Sequence, residues 1–511
     1  MTPEPSDRDD KPGDEHRGAP AGADHTDPRA DGGVAGSDEI ALDPWGSSTV
    51  SDYRKLFEQF GIERFEAVVD EVPDPHYLMR RGVIFGHRDY RALTDAMHED
   101  EPFAALSGFM PTGDPHIGHK LVFDELIWHQ QQGGDVYGLI ADLEAHSARG
   151  LTWAEIDEHA RNYILSLLAL GFDPEDGELY RQSTNRDVQD LAFELGVEAN
   201  FSELAAIYDF DSETDISHMQ SVVTQMADIL YPAARVRYFG VTKAYASFGT
   251  DAAEGSLIAG AYETLQDRHP DEQIRCSDAA TFLEREPGAT DVQATTLDGT
   301  ITMLKEAGTE PLRPRVRFID RNATEAAFEA LVETIDGEKR VYDEHVDTFD
   351  LDRDEAEALA RGVELDHGGY GFVAPSSVYH RFMTGLTGGK MSSSVPASHI
   401  SLLDEPEEGY EKVKAAATGG RETAEKQREL GGEADECPVY ELYAYLLAGD
   451  DDAFAKEVYE ECVGGERLCG DCKEQAARLM EEFLEQHQEK REEWADRLDE
   501  VDIDFDSDRK R

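Results

Sequence analysis

The chain has 511 residues, of which 110 are acidic and 48 basic, giving a formal net charge of −62. At roughly 100–200 residues per domain this length predicts three or so domains, and 40% apolar residues are too many for a chain disordered throughout. It has no apolar run of about 18 residues for a membrane span and no secretory-signal pattern. Its five cysteines are too few for a disulfide scaffold, so a reduced, cytoplasmic protein is expected.

Residues 1–47 hold twelve acidic and four basic residues among many Pro and Gly, which predicts a disordered acidic tail. Residues 48–100 read as a helical extension, with helix-like stretches at Tyr53–Phe60 and Tyr90–Met97. Phe103–Met110 is a short apolar run ending in Pro111-Thr112-Gly113, a strand entering a turn. Apolar residues at Ile117, Leu121, Val122, Leu126 and Ile127 then follow a helical period to Gln130. Asp135–Asp142 predicts a second strand, Thr152–Leu170 a helix capped by Thr152 ahead of Glu155, and Leu179–Gln182 a third strand. Helices are expected near Asp187–Leu195 and Ile216–Leu230.

This alternation predicts an α/β fold, a doubly wound parallel sheet with ligands at the carboxyl ends of its strands. Its first part covers 101–250 and its second part 367–404. An acidic, mostly helical segment, 251–366, is inserted between them. Residues 405–500 are expected to be all-helical, with Ala476, Leu479, Met480, Phe483 and Leu484 on one face, and 501–511 a charged tail.

The acidic excess is spread along the chain and includes helix faces such as Glu481, Glu482, Glu485 and Glu489. Taken alone, −62 argues against a polyanionic partner. At molar salt, however, the Debye length is about 3 Å and long-range repulsion is nearly gone, so a surface adapted to a salt-rich interior is the better reading.

Two strings carry chemistry. Pro111-Thr-Gly-Asp-Pro-His-Ile-Gly-His119 lies between a strand and a helix, where free N–H groups and the helix dipole favour a phosphate. His116 and His119 are three apart and can reach one phosphate, while Gly118 leaves room for a flat base. The second string is Gly388-Gly-Lys390-Met391-Ser392-Ser393-Ser394. It offers one point charge and three hydroxyls to a polyphosphate. Separately, Cys437, Cys462, Cys469 and Cys472 form C-x24-C-x6-C-x2-C, a set able to hold Zn²⁺ or a four-iron cluster, with Cys276 left out.

The two strings resemble the HIGH and KMSKS signatures of class I aminoacyl-tRNA synthetases, the second in the form KMSSS. With SGFMPTGDPHIGH, ADLEAH and QMADILYP around them, the chain is most similar to tryptophanyl-tRNA synthetases of the halophilic archaeal kind. The resemblance implies a Rossmann-type catalytic domain, a helical anticodon-binding domain at 405–500 and a homodimer. It implies ATP with Mg²⁺, L-tryptophan and tRNA(Trp) as ligands. His116, His119 and Lys390 are the expected catalytic residues, neutralising charge on the phosphates, with Pro111, Thr112, Gly113, Gly118, Met391, Ser392 and Ser393 on ATP.

Gly108, Glu144, Gln225 and Asp228 are expected at the amino acid. Asp228 would accept the indole N–H, Glu144 would hold the amino group, and Gln225 would share the pocket. Tyrosyl enzymes carry Tyr where this chain has Ser221, which favours tryptophan. By the same resemblance the cysteine quartet suits a [4Fe–4S] cluster ahead of Zn²⁺. Lying outside the sheet domain, it is expected to matter more for tRNA charging than for amino-acid activation.

One departure stands out. Relatives carry a strand ending in a Gly-Asp-Gln-type block soon after this MADIL helix, but here Tyr231-Pro232 runs straight into Ala233–Phe239. One strand and several substrate contacts are therefore expected to be missing. A tyrosyl enzyme and a synthetase-derived binding protein without turnover stay open as alternatives.

Overall fold

The computed structural model describes Phe57 and residues 62–505, apart from 198, 209, 234–239, 245–251, 271, 287–293, 313–314, 320–323, 343–344, 352, 368–371, 373–374, 389–394 and 504. The expected acidic tail at 1–47, the helix at Tyr53–Phe60 except Phe57, and most of 501–511 lie outside the described residues, as do Lys390, Met391, Ser392 and Ser393.

The stretch expected to be helical before residue 100 is mixed. Two short strands, β1 (Glu63–Arg64) and β2 (Ile84–Arg88), pair antiparallel there, and the helix Tyr90–His98 follows. The sheet is next in line. β3 (Ala104–Phe109), β4 (Asp135–Ile140) and β5 (Gly177–Arg181) lie parallel in that order. They are crossed over by the helices Ile117–Gln131 and Trp153–Leu170. The strands bury most at their carboxyl ends, at Phe109, Leu139, Ile140, Tyr180 and Arg181. The Thr152 cap is present: its hydroxyl accepts from Glu155 N–H while the Glu155 carboxylate accepts from Thr152 N–H at 2.8 Å.

The helix Ile216–Leu230 does not return the chain to this sheet. Among the described residues it leads, through Tyr231–Ala233, to β6 (Gly240–Ala244), which pairs antiparallel with β7 (Arg315–Ile319) in a separate sheet. That sheet is completed by β8 (Lys339–Val341) and β9 (His345–Thr348), in the order β6-β7-β9-β8. Among the described residues of 251–366 five helices outweigh three strands, and the strands are what the sequence did not announce. The charged residues in its strands are the reason: Asp347, fully buried, pairs with Arg315 at 3.0 Å and Arg317 at 2.7 Å, so the strands do not read as apolar. This region has two cores of its own, one within three helices around Leu257, Leu283 and Leu304, the other around Val316, Phe318 and Val346.

The chain then returns. β10 (Ser377–His380) pairs antiparallel with β2, almost 300 residues earlier. From Pro406 the fold is helical, ending in the long helix Cys469–Ala495. Ala476, Met480 and Leu484 are buried on one face of it, with Leu479 and Phe483 packed beside them. This helical region and the sheet share one continuous core that includes Ile117, Phe123, Ile164, Leu442 and Met480.

Candidate active site

β3 runs into the turn at Pro111–Gly113, where Thr112 N–H donates to the Met110 carbonyl at 2.8 Å. His116 then caps the helix Ile117–Gln131 from an extended conformation. Its Nδ1 accepts from Gly118 N–H at 3.1 Å, and its own N–H donates to His119 Nδ1 at 3.1 Å. Two imidazoles thus do what a hydroxyl and a carboxylate do in an ordinary capping box. Because both Nδ1 atoms accept, both protons sit on Nε2. His119 Nε2 donates to the Tyr163 hydroxyl at 3.1 Å.

Burial lowers the His116 pKa to about 2, helped by the neighbouring His119 and His399 rings, and lowers that of His119 to about 4. Both are neutral at pH 7. Without a phosphate beside them they are therefore dipolar groups at the start of a helix.

The chain leaving the second signature runs beside the first. Ile117 N–H donates to Ile400 O at 3.1 Å, Leu402 N–H donates to Pro115 O at 2.8 Å, and the His399 ring lies 5.3 Å from that of His116. Gly388, which enters the undescribed segment, has φ +88, a conformation that favours glycine.

A second group lies at the carboxyl ends of β4 and β5. Asp228 is 2% exposed. It accepts from the Tyr180 hydroxyl at 3.0 Å and from Gln182 Nε2 at 2.6 Å. Gln182 Nε2 also approaches Glu144 Oε1 at 3.3 Å. Burial raises the Asp228 pKa to about 7, against the pull of the Gln182 and Tyr180 hydrogen bonds, and burial also raises that of Glu144.

Beneath them Arg181 joins Asp142 at 2.9 Å and Asp157 at 2.6 Å, and Ser183 N–H donates to Asp142 at 2.9 Å. This ties the end of β5 to the start of the helix Asp142–Arg149 that carries Glu144. Gly108 sits on β3 where an added Cβ would press on Leu139 of β4 at 3.0 Å. Gln225 is exposed, so it does not share the buried group around Asp228. Tyr180 and Gln182 were missing from the expected residues. The rule that ligands sit at strand ends, applied to Leu179–Gln182, points to them.

The four cysteines Cys437, Cys462, Cys469 and Cys472 line one cavity of about 20 Å³. Glycines wrap it: a Cβ on Gly420 would overlap Cys469 Sγ, and one on Gly432 would lie 2.7 Å from Cys462 Sγ. Burial raises the Cys472 thiol to about 11, partly offset by Arg467. Among the described residues no group of three or more His, Cys, Asp or Glu side chains is placed to hold a metal ion.

The profile of the family described as "tRNA synthetases class I (W and Y)" matches residues 98–233 and 351–485, leaving 234–350 unmatched. Tryptophan–tRNA ligase 1 of Halobacterium salinarum is 66% identical over 502 residues, covering 93% of this chain and 98% of that one. The chain belongs to the class I tryptophanyl-tRNA synthetases. The tryptophan–tRNA ligase of Methanosarcina acetivorans is 45% identical over 91% of this chain and 99% of its own. The crystal structure of the tryptophanyl-tRNA synthetase from Aeropyrum pernix superposes with a TM-score of 0.58 at 29% identity, covering 91% of this chain and all of that one. The imidazole pair follows β3 and the Asp228 group lies at the carboxyl ends of β4 and β5, neighbouring strand ends of one parallel sheet.

Proposed function

We propose that this synthetase activates L-tryptophan with ATP and passes the tryptophanyl group to tRNA(Trp). In the first step a tryptophan carboxylate oxygen attacks the α-phosphorus of ATP and the bond to the β-phosphate breaks, giving tryptophanyl-adenylate and pyrophosphate. In the second a ribose hydroxyl of the tRNA terminus attacks the acyl carbon and AMP leaves. Neither step needs a covalent bond to the protein, so the residues act by positioning and by dipoles aimed at developing charge. Mg²⁺ on the ATP would supply divalent charge to the pyrophosphate.

The observation that carries this reading is the imidazole pair at a helix start, held by its Nδ1 contacts, with the His116 Nε2–H as a donor and the His119 ring fixed through Tyr163. The relatives matched over nine tenths of the chain support tryptophan over tyrosine, and ligase activity over a binding-only role. ATP–pyrophosphate exchange tests it. Exchange with tryptophan and not tyrosine is expected. Exchange with tyrosine, or with neither, would overturn it.

Two further assignments belong to this reading. The helical region from 405 would bind the anticodon, and a homodimer would be the working form in a cytoplasmic setting. No described helix is long and apolar enough to cross a membrane.

The thiols of Cys437, Cys462, Cys469 and Cys472 would hold a [4Fe–4S] cluster as a structural group. They line one cavity bounded by glycines, and the choice of a cluster over a single zinc rests on the resemblance alone. Anaerobically purified protein should be brown with about four irons per chain, the content of a Cys₄-ligated cluster. One zinc and no colour would replace the cluster by a zinc site, and metal-free, fully active protein would end both.

A further inference from the structure

The sheet β6-β7-β9-β8 has two unlike faces. One packs on the helices Glu325–Thr334 and Arg353–Asp366 through Val316, Phe318 and Val346. Strand alternation turns Arg315 and Arg317 of β7, and Asp347 of β9, to the other. The register sets Arg340 of β8 beside Asp347, and the hairpin sets Tyr342 beside His345. Arg317, Arg340 and Tyr342 all lie within electrostatic reach of Arg315. Asp347 takes one nitrogen of Arg315 and two of Arg317. Arg315 Nε is left buried without a hydrogen-bond partner, on a side chain 5% exposed. Towards the outer strand Arg340 lies 5.1 Å over the Phe349 ring, and Tyr342 stacks on His345 at 4.3 Å. Arg340 and Tyr342 are both exposed. Among the described residues three arginines thus meet two carboxylates, Asp347 and, beside Phe349 at the edge, Glu338. The chain as a whole has more than two acidic residues for each basic one.

We infer that this arginine face is an RNA-contact surface, taking phosphate oxygens on Arg315 and Arg317 and bases against Tyr342 and Arg340. That the RNA is tRNA(Trp) rests on the synthetase reading; that the ligand is RNA rests on the face itself. Two guanidinium groups on one carboxylate leave a positive charge in excess, and their planar forks match phosphate oxygens. The unpaired Arg315 N–H is costly where it is buried and is matched by a ligand that brings an acceptor. Beside it a ring and a guanidinium plane stand exposed, and such planes stack on any base. A four-stranded antiparallel sheet with its helices behind it is a common platform for single-stranded RNA. The charge of −62 does not oppose this contact. At molar salt only groups within about 3 Å of the RNA are felt, and those on this face are mostly cationic. The face lies in the part of the chain that the family profile leaves unmatched, so it adds to the shared catalytic machinery.

The test titrates the full chain into a fluorescently labelled tRNA(Trp) transcript at molar KCl and follows anisotropy. Tyr342→Ala and Arg340→Ala, both at exposed positions, should each weaken binding about tenfold, within the worth of one stacked base. Tyr342→Phe, which keeps the ring, should stay within about twofold of the wild type. A transcript carrying 4-thiouridine, irradiated in the complex, should crosslink to Tyr342 or His345. Alanine variants that bind like the wild type, or crosslinks that spare both residues, overturn the inference. If an alanine variant melts below the wild type, the crosslink on the wild-type chain decides. The synthetase reading fails separately, on a wild type without tryptophan-dependent ATP–pyrophosphate exchange. Crosslinking at Tyr342 in such a protein would keep the face as an RNA site and replace only the reading of which RNA it takes.

Discussion

Asp228 shows how a single buried carboxylate couples site and stability. Its pKa in the fold is about 7, raised by burial from an ordinary 3.8. The folded state therefore holds a proton that the unfolded chain has released. Stability from this group is fully present below pH 3.8 and is lost as pH rises to about 7. Above that it stays constant. Asp228→Asn removes the proton and with it the slope. Between pH 5 and 7 the wild type should lose stability relative to the variant by up to about 1.4 kcal/mol per pH unit. Melting curves of the two proteins that run parallel across that range would show that Asp228 is ionised throughout. Binding should move the other way, because an ionised Asp228 is the better acceptor for Gln182 Nε2. Tryptophan affinity is expected to rise as pH passes 7. His116 and His119, neutral far below that range, contribute no step of their own.

At the scale of elements, the two legs of the second signature are held from opposite sides. The leaving leg lies along Pro115–Ile117. The entering leg is gripped by the helical region: both Glu441 carboxylate oxygens accept from Thr384, from its N–H at 2.6 Å and its hydroxyl at 2.7 Å. Ala417 N–H donates to Leu386 O at 2.7 Å. Glu441 lies in the short helix Pro438–Leu442, whose N-cap is Cys437, and Ala417 precedes the glycines around the sulfurs. The cysteine cavity is therefore one hydrogen bond from the chain that leads to Lys390. A contribution of the quartet to amino-acid activation, beside its larger expected effect on tRNA charging, would travel by this route. Glu441→Ala should slow adenylate formation by about tenfold, the lower end of what a hydrogen bond to a charged group is worth, with tryptophan affinity within about twofold. Unchanged exchange kinetics with a lowered melting temperature would make Glu441 structural only.

None of these links was legible in the sequence, because each joins residues tens to hundreds of positions apart. What was legible is local. The Thr152–Glu155 cap acts over three residues, and β3 to β5 announce themselves as apolar runs between turn and helix. Gln182 and Tyr180 escaped because their partner Asp228 is more than 45 residues away. β7 and β9 escaped because Arg315, Arg317 and Asp347 bury their charges only as a set.

Across the whole molecule, 110 carboxylates face 48 cationic side chains, so most acidic groups have no cation to pair with. Their mutual repulsion reaches about 10 Å at 0.1 M salt and about 3 Å at 1 M. The parts of the fold do not resist it equally. The sheet and the helical region share one long core, from Phe65 to Val501. The region between them rests on two small ones, each built from about a dozen buried residues or fewer. Small cores bury too little apolar area to offset a large repulsive term. The melting temperature should therefore rise with KCl. At about 0.1 M, where the Debye length has grown to about 10 Å, the segment around Leu257–Val363 should open before the sheet does. Hydrogen exchange followed by mass spectrometry at low and molar KCl reads this directly. Protection should be lost first in the helices Ala252–Arg268 and Ala294–Ala307 and kept in Ile117–Gln131 and Cys469–Ala495. Exchange that is uniform along the chain, or a melting temperature that ignores KCl, would mean that specific contacts dominate and the surface charge does not govern folding.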